Sequence, residues 1–253
     1  MSGADRYDQS VIQQIFKVKK TLTEMLRDRG YNTTNDEWLL RESLETRDFI
    51  HHYERQAQGG SKTFKEGLSN TYVKNSDKDS DKDHDSSGKT RLRVFFPETP
   101  ISGGKKTAIG KDKIDRILKH MTENDITKVI IVTETPLSPQ AAGQLTNYPA
   151  WTLEHFMYKE LTYNLTKHFL VPEHRLMSLP EITRFLDDNE LDIENLPVMS
   201  YQGPISRYYG SKPGDIFEIK RFDISGSSMV SDSVAHRAVR EIPLEMPVQK
   251  KMT

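Results

Sequence analysis

The chain has 253 residues and a formal net charge of −1, long enough for one large or two smaller cores and too balanced for a global hold on nucleic acid or membrane. It contains no cysteine, which excludes disulfides, thiolate catalysis and cysteine-ligated zinc, and suits a reducing compartment. The opening MSGADRYDQS lacks the apolar run of a secretory signal and no segment reaches the ~20 apolar residues of a membrane span, so a soluble intracellular protein is expected, with the Asn164–Thr166 sequon unglycosylated.

The clearest helix covers residues 8–29. Val11, Ile15, Val18, Leu22 and Met25 recur at spacings of four and three, and Ile12, Phe16 and Leu26 widen the stripe. Lys17, Lys20, Glu24 and Arg27 are assigned to the opposite face, and Gly30 is the stop. Thr34-Asn-Asp-Glu37 reads as a capping box opening a second helix through Leu44. Residues 56–90 have no apolar period and alternate in charge, so a mobile insertion is expected there. Within it Asp83-His-Asp85 imitates an EF-hand loop, whose twelfth position would be Val94 where a carboxylate is needed. Gly88-Lys89-Thr90 imitates the end of a P-loop, with Asp83 where the first glycine belongs.

Order resumes with a strand over Arg91–Phe96, ended by Pro97, then a helix over Lys111–Asn124 with Ile114, Ile117, Leu118 and Met121 on one face. Ile126–Thr133 is a nearly continuous β-branched run, the mark of a buried strand. Strand, helix and strand at this spacing suggest a βαβ unit covered by the first two helices. Ser138 caps a short helix begun by Pro139. A second domain is placed from Trp151 to residue 240, followed by a tail over 241–253. Its elements are a capping box at Ser178–Glu181, a loop over Leu196–Pro204, a helical turn from Pro204 and a tight turn at Pro213-Gly214. A strand over Ile216–Lys220 follows, and Ser225-Gly226 returns Val234–Arg240 as its partner. The architecture expected is α+β: an α/β domain over 1–150 and a small α+β domain over 151–240.

Catalysis finds no support. His51 and His52 are adjacent, ~100° apart on a helix, and do not converge on one ion. His168 and His174 have only Glu173 beside them, so a metal set is incomplete and structural roles are favoured. No G-x-S-x-G, H-E-x-x-H or G-x-G-x-x-G occurs. Glu98 with Asp112-Lys113 could suggest a metal-dependent nuclease on the βαβ core, although an acid at a helix start already complements the dipole. No cofactor and no metal are expected.

The second half carries a more specific signal. Asn164-Leu-Thr166-Lys-His168-Phe-Leu170-Val171-Pro172-Glu-His174 resembles the N-x-T-x-H-x-L-V-P-x-H motif of the fifth subunit shared by eukaryotic nuclear RNA polymerases, whose archaeal counterpart has the C-terminal domain alone. Leu196-Pro197, Arg207-Tyr208, Gly210-x-Lys212-x-Gly214, a strand ending at Arg221 and Ser225-Gly226 follow in the family's order. The first half is similar at lower strength, through Met25–Tyr31 and Val129–Ala141. The family departs from this chain at Pro213, where it has Arg, at Gly203, where it has Asp, and after Gly226, where it has Arg-Tyr and a short final strand.

The resemblance implies a non-catalytic subunit of a nuclear DNA-directed RNA polymerase, one copy in a hetero-oligomer, in the nucleus and its nucleolus. Its small domain would dock on the largest subunit beside neighbouring small subunits, and its jaw-like N-terminal domain would stand near downstream DNA in weak contact. Partner-binding residues implied are His168, Pro172, His174, Arg207, Tyr208, Tyr209, Gly210, Lys212 and Ile216, with both tyrosines equally able to fill the domain's own core. Lys105, Lys106, Lys111 and Lys113 are the local cations nearest DNA, and the overall charge argues against independent tight binding. The departures suggest a divergent copy dedicated to one polymerase. The alternatives are a free-standing nuclease-like or DNA-binding protein using the N-terminal domain, and a general interaction module.

Overall fold

The periodic apolar residues of the first segment wind Gln9–Asp28 into helix α1, and Ile15, Val18, Leu22, Met25 and Leu26 lose all contact with solvent. In the computed structural model, residues 9–58, 64–75, 89–148, 151–221 and 233–242 are described. They form two compact units that divide after Asn164.

In the first unit α2 (Thr46–Gln58) and α3 (Phe64–Gly67) follow α1, and the sheet is built from β1 (Thr71–Asn75), β2 (Lys89–Phe95), β5 (Lys128–Thr133) and β6 (Thr152–Met157) in that spatial order. A two-residue hairpin, β3 (Ile101–Ser102) with β4 (Lys105–Lys106), leads to α4 (Lys111–Glu123), while α5 (Pro139–Thr146) joins β5 to β6 and α6 (Tyr158–Leu161) closes the unit. β1 is antiparallel to β2; β2, β5 and β6 run parallel. All six residues of β5 are buried, as a strand covered on both faces requires. Register and alternation put Phe95, Val129, Ile131 and Leu153 on the face packed by α4 and α5. Tyr72, Leu92, Ile130 and Glu154 share the other face, where α1 sends Lys19 to Tyr72 and Arg29, just past its end, pairs with Glu154. Ser138 accepts the Ala141 N–H at 3.2 Å, the expected cap of α5.

Several expectations for this unit need correction. The boundary lies at Asn164 and not at 150, because Thr152–Met157 is the fourth strand of the sheet, pairing with β5 along its whole length. Thr34–Leu40 is a 3-10 helix without a side-chain cap. Thr34 donates instead to Asn32 Oδ1, and Asp36 is drawn into the core. The 56–90 stretch is not one insertion: Phe64, Leu68 and Tyr72 are buried, and β1 is a sheet strand. The EF-hand and P-loop imitations fall largely at 76–88, outside the described residues. Glu24, assigned to the solvent face, is buried and accepts from Asn164 Nδ2 at 2.8 Å.

The second unit centres on a sheet ordered β7 (Glu173–Leu176), β9 (Ile216–Arg221), β10 (Ser233–Arg240) and β8 (Val198–Ser200). β9 pairs antiparallel with β7 and β10, as expected for β10, while β8 adds in parallel where a loop was expected. α7 (Leu179–Asp188) packs Ile182, Phe185 and Leu186 with Ile216 and Ala238 on one face. α8 (Pro204–Tyr209) packs Ile205 and Tyr209 with Phe217, Ile219 and Val239 on the other. The Ser178–Glu181 box forms reciprocally, Glu181 accepting from the Ser178 N–H at 2.8 Å. α8 ends on Gly210 at φ 64, and Gly214 at φ 98 follows Pro213 in a turn closed by Asp215 N–H to the Lys212 carbonyl at 3.1 Å. Both conformations favour glycine. The Ser225-Gly226 turn and most of the tail lie outside the described residues.

Candidate partner-docking surface

The N-x-T-x-H-x-L-V-P-x-H segment becomes a short 3-10 turn (Leu165–Lys167), a tight loop and the start of β7. Its polar residues fold the loop on itself. His168 N–H donates to the Leu165 carbonyl at 3.1 Å, Val171 N–H to the His168 carbonyl at 2.8 Å, and Leu170 N–H to His168 Nδ1 at 3.2 Å. His174 Nδ1 donates to the Pro172 carbonyl at 2.7 Å, fixing its tautomer. Burial holds the His174 imidazole below its ordinary value, outweighing that hydrogen bond, so the ring is a neutral scaffold group and not a cation offered to a partner.

A loop tied down this way leaves its apolar residues outside. Phe169 is 84% exposed, Leu170 60% and Leu165 38%. An exposed phenylalanine beside two exposed leucines on an internally braced loop is a patch that water solvates poorly. The 3-10 turn lies against α8, the helix that carries Arg207 and Tyr209. Tyr209 contacts Phe217 edge-on at 5.6 Å, and Phe217 meets His174 at 6.1 Å. His174 and Tyr209 thus meet across Phe217 on the α8 side of the small sheet.

The other residues expected to bind a partner have different places. Tyr208 is 5% exposed and Ile216 fully buried, so both belong to this unit's own core and shape the surface from beneath. Gly210 and Lys212 are exposed around the turns; the Lys212 N–H donates to Asp215 Oδ2 at 2.6 Å, and Pro213 stiffens the turn where the family's arginine would add charge. Ile216→Ala is therefore expected to act through stability, costing about 2–5 kcal/mol, read as a lower urea midpoint of the small unit. Leu165 and Phe169 escaped the sequence reading because both occupy unspecified positions of the motif.

In the first unit Lys105 and Lys106 stand exposed on the β3–β4 hairpin, with Lys106 ion-paired to Glu134. Lys111 and Lys113 open α4, Lys113 turned half inward. Glu98 lies 3.7 Å from the buried Lys65 ammonium, while Asp112 is exposed at the helix start. The described residues contain no group of three or more His, Asp or Glu able to hold a metal ion.

Residues 9–114 match the family described as RNA polymerase Rpb5, N-terminal domain, and residues 163–239 match RNA polymerase Rpb5, C-terminal domain. The chain is 31% identical over 215 residues to the DNA-directed RNA polymerases I, II, and III subunit RPABC1 of Caenorhabditis briggsae, covering 85% of this chain and 92% of that protein. It is 29% identical over 213 residues to the corresponding Dictyostelium discoideum subunit, covering 83% and 91%. The DNA-directed RNA polymerase subunit 5-like protein 1 of Arabidopsis thaliana is 27% identical over 213 residues, covering 84% and 90%.

Proposed function

The chain belongs to the RNA polymerase Rpb5 family, and from that premise we propose that it is a non-catalytic structural subunit of a nuclear DNA-directed RNA polymerase. It docks through the α8 face of its C-terminal unit on the largest subunit, among neighbouring small subunits, as one copy in a hetero-oligomer. The N-terminal α/β unit forms the lower jaw near downstream DNA, which it touches weakly. Its place in the cell is the nucleus, nucleolus included.

The observation that carries the docking assignment is the braced loop with Phe169 84% and Leu170 60% exposed, inside the segment most like the family motif. Complementary burial of such rings and aliphatic groups is what interface cores are made of. A net charge of −1 supports a weak DNA contact. The departures at Gly203 and Pro213 support a copy dedicated to one polymerase.

Purification of the tagged full chain from its own cells, with mass spectrometry of what comes with it, tests the proposal. One largest subunit in comparable amount is the expected result. Recovery without any polymerase subunit would overturn the assignment. Several largest subunits in equal amounts would remove the dedicated-copy reading and leave the subunit role standing.

A further inference from the structure

On the α4 side of the N-terminal sheet lies a cavity of about 330 Å³. Alternation along β2 sends Arg93 and Phe95 to this face, and Lys113, Arg116, Ile117 and His120 recur along one side of α4. Three fixed cations and a histidine therefore share one hollow with two acids, Glu66 and Glu98. Glu98 is drawn toward the buried Lys65, 3.7 Å away. Lys113 and Arg116 have no ion-pair partner among the described residues. Arg93 donates from Nη1 to Thr71 Oγ1 at 2.7 Å, yet its Nε is buried with no acceptor among the described residues. A buried guanidinium donor without an acceptor, facing two uncommitted cations, is an unbalanced arrangement in a folded protein.

Apart from Ser69, the rest of the lining is apolar. Ile117 and Phe96 are nearly fully buried, and Phe95 lies between the Arg93 guanidinium, 5.5 Å above its ring, and the His120 ring, 5.5 Å away and edge-on. Burial and the nearby Arg93 charge hold His120 below its ordinary value, so any bound anion would raise it.

We propose that this cavity binds a small organic phosphomonoester, its phosphate held by Arg93, Lys113 and Arg116 and its body lying against Phe95 and Ile117. Three fixed cations suit a dianionic phosphate better than a single carboxylate, and arginine matches phosphate oxygens in pairs. The volume is at the small end of ligand pockets and admits a mononucleotide-sized compound. The inference does not depend on polymerase membership.

The test is calorimetric titration of the isolated full chain with 5′-AMP, adenosine and inorganic phosphate, with the His120 ring resonances followed by NMR. AMP is expected to bind saturably, about tenfold or more tighter than either fragment, and to raise the pH at which His120 titrates. Arg116→Gln, at an exposed helix position, is expected to weaken AMP binding about tenfold with an unchanged circular dichroism spectrum. Absence of saturable binding up to ~10 mM AMP, or affinity that Arg116→Gln and Lys113→Gln leave unchanged, overturns the proposal. Equal affinity for inorganic phosphate removes the organic body from it.

Discussion

Lys19→Met is expected to cost the N-terminal unit about 3–5 kcal/mol, the largest stability loss of any single exchange considered for this chain. The Lys19 ammonium is fully buried, 3.0 Å from Asp36 Oδ2, and donates to the Tyr72 hydroxyl at 2.7 Å and the Leu68 carbonyl at 3.2 Å. Tyr53 donates to the other Asp36 oxygen at 3.2 Å, and Tyr72 donates to Oδ2. One charge removed leaves Asp36 buried against two hydroxyls with no counter-ion. Burial alone would lower the lysine and raise the carboxyl; their mutual attraction and the tyrosine bonds reverse both, so Lys19 lies above its ordinary value and Asp36 below.

The sign of the pH dependence follows. Asp36, depressed on folding, stabilises above the ordinary carboxylate range near pH ~4 and loses that as pH falls through its folded value. Lys19, raised on folding, stabilises fully below pH ~10.4 and loses that only as pH rises through its folded value. Neutral pH lies inside both windows, so the Lys19→Met defect is full at pH 7 and shrinks in acid, where Asp36 can take a proton. Both tryptophans, Trp38 and Trp151, lie in this unit, so their fluorescence reports its unfolding alone. The melting midpoint is expected to fall by roughly 10 °C. A shift worth under ~1 kcal/mol would mean that water or rearrangement repairs the site. Lys19→Met with Asp36→Leu is expected to recover part of the loss, since an apolar pair replaces a buried ion pair at little cost.

This buried quartet also marks where sequence and structure part. Helix α1, β5 and the Ser178 cap were legible because period, a β-branched run and a reciprocal cap are local signals. Lys19 was not, since a lysine one position after Val18 looks like the edge of a solvent face until Asp36 and Tyr72 arrive from other elements. The same demand defeats the Thr34–Glu37 box, because Asp36 serves the core. Strand β6 was hidden by Glu154 and His155, whose partners Arg29 and Thr133 are remote in sequence and bond at 2.8 and 2.7 Å. Phe64, Leu68 and Tyr72 are single apolar residues in a charged stretch, too sparse to announce a core that neighbours complete. At the proposed docking surface the motif specifies the bracing histidines, His168 and His174, while Phe169, the most exposed side chain of that loop, stands at an unspecified position.

Phe169→Asp combined with Leu170→Asp is expected to abolish recovery of the chain with the largest polymerase subunit while leaving its fold intact. At 84% and 60% exposure these positions contribute little to the core, and surface exchanges of that kind usually stay within about 0.5 kcal/mol. At an interface the balance is opposite: losing a central apolar anchor costs ~2 kcal/mol or more, and burying an unpaired carboxylate adds desolvation to it. A drop of ~30-fold or more in affinity is then expected, against a melting curve that superimposes on the parent. Ile216→Ala supplies the contrast, since it should lower stability first and recovery only as a consequence. The pair separates a surface that grips from a core that merely holds the surface in shape. Undiminished co-purification of the doubly charged variant would place the docking face elsewhere on the small unit.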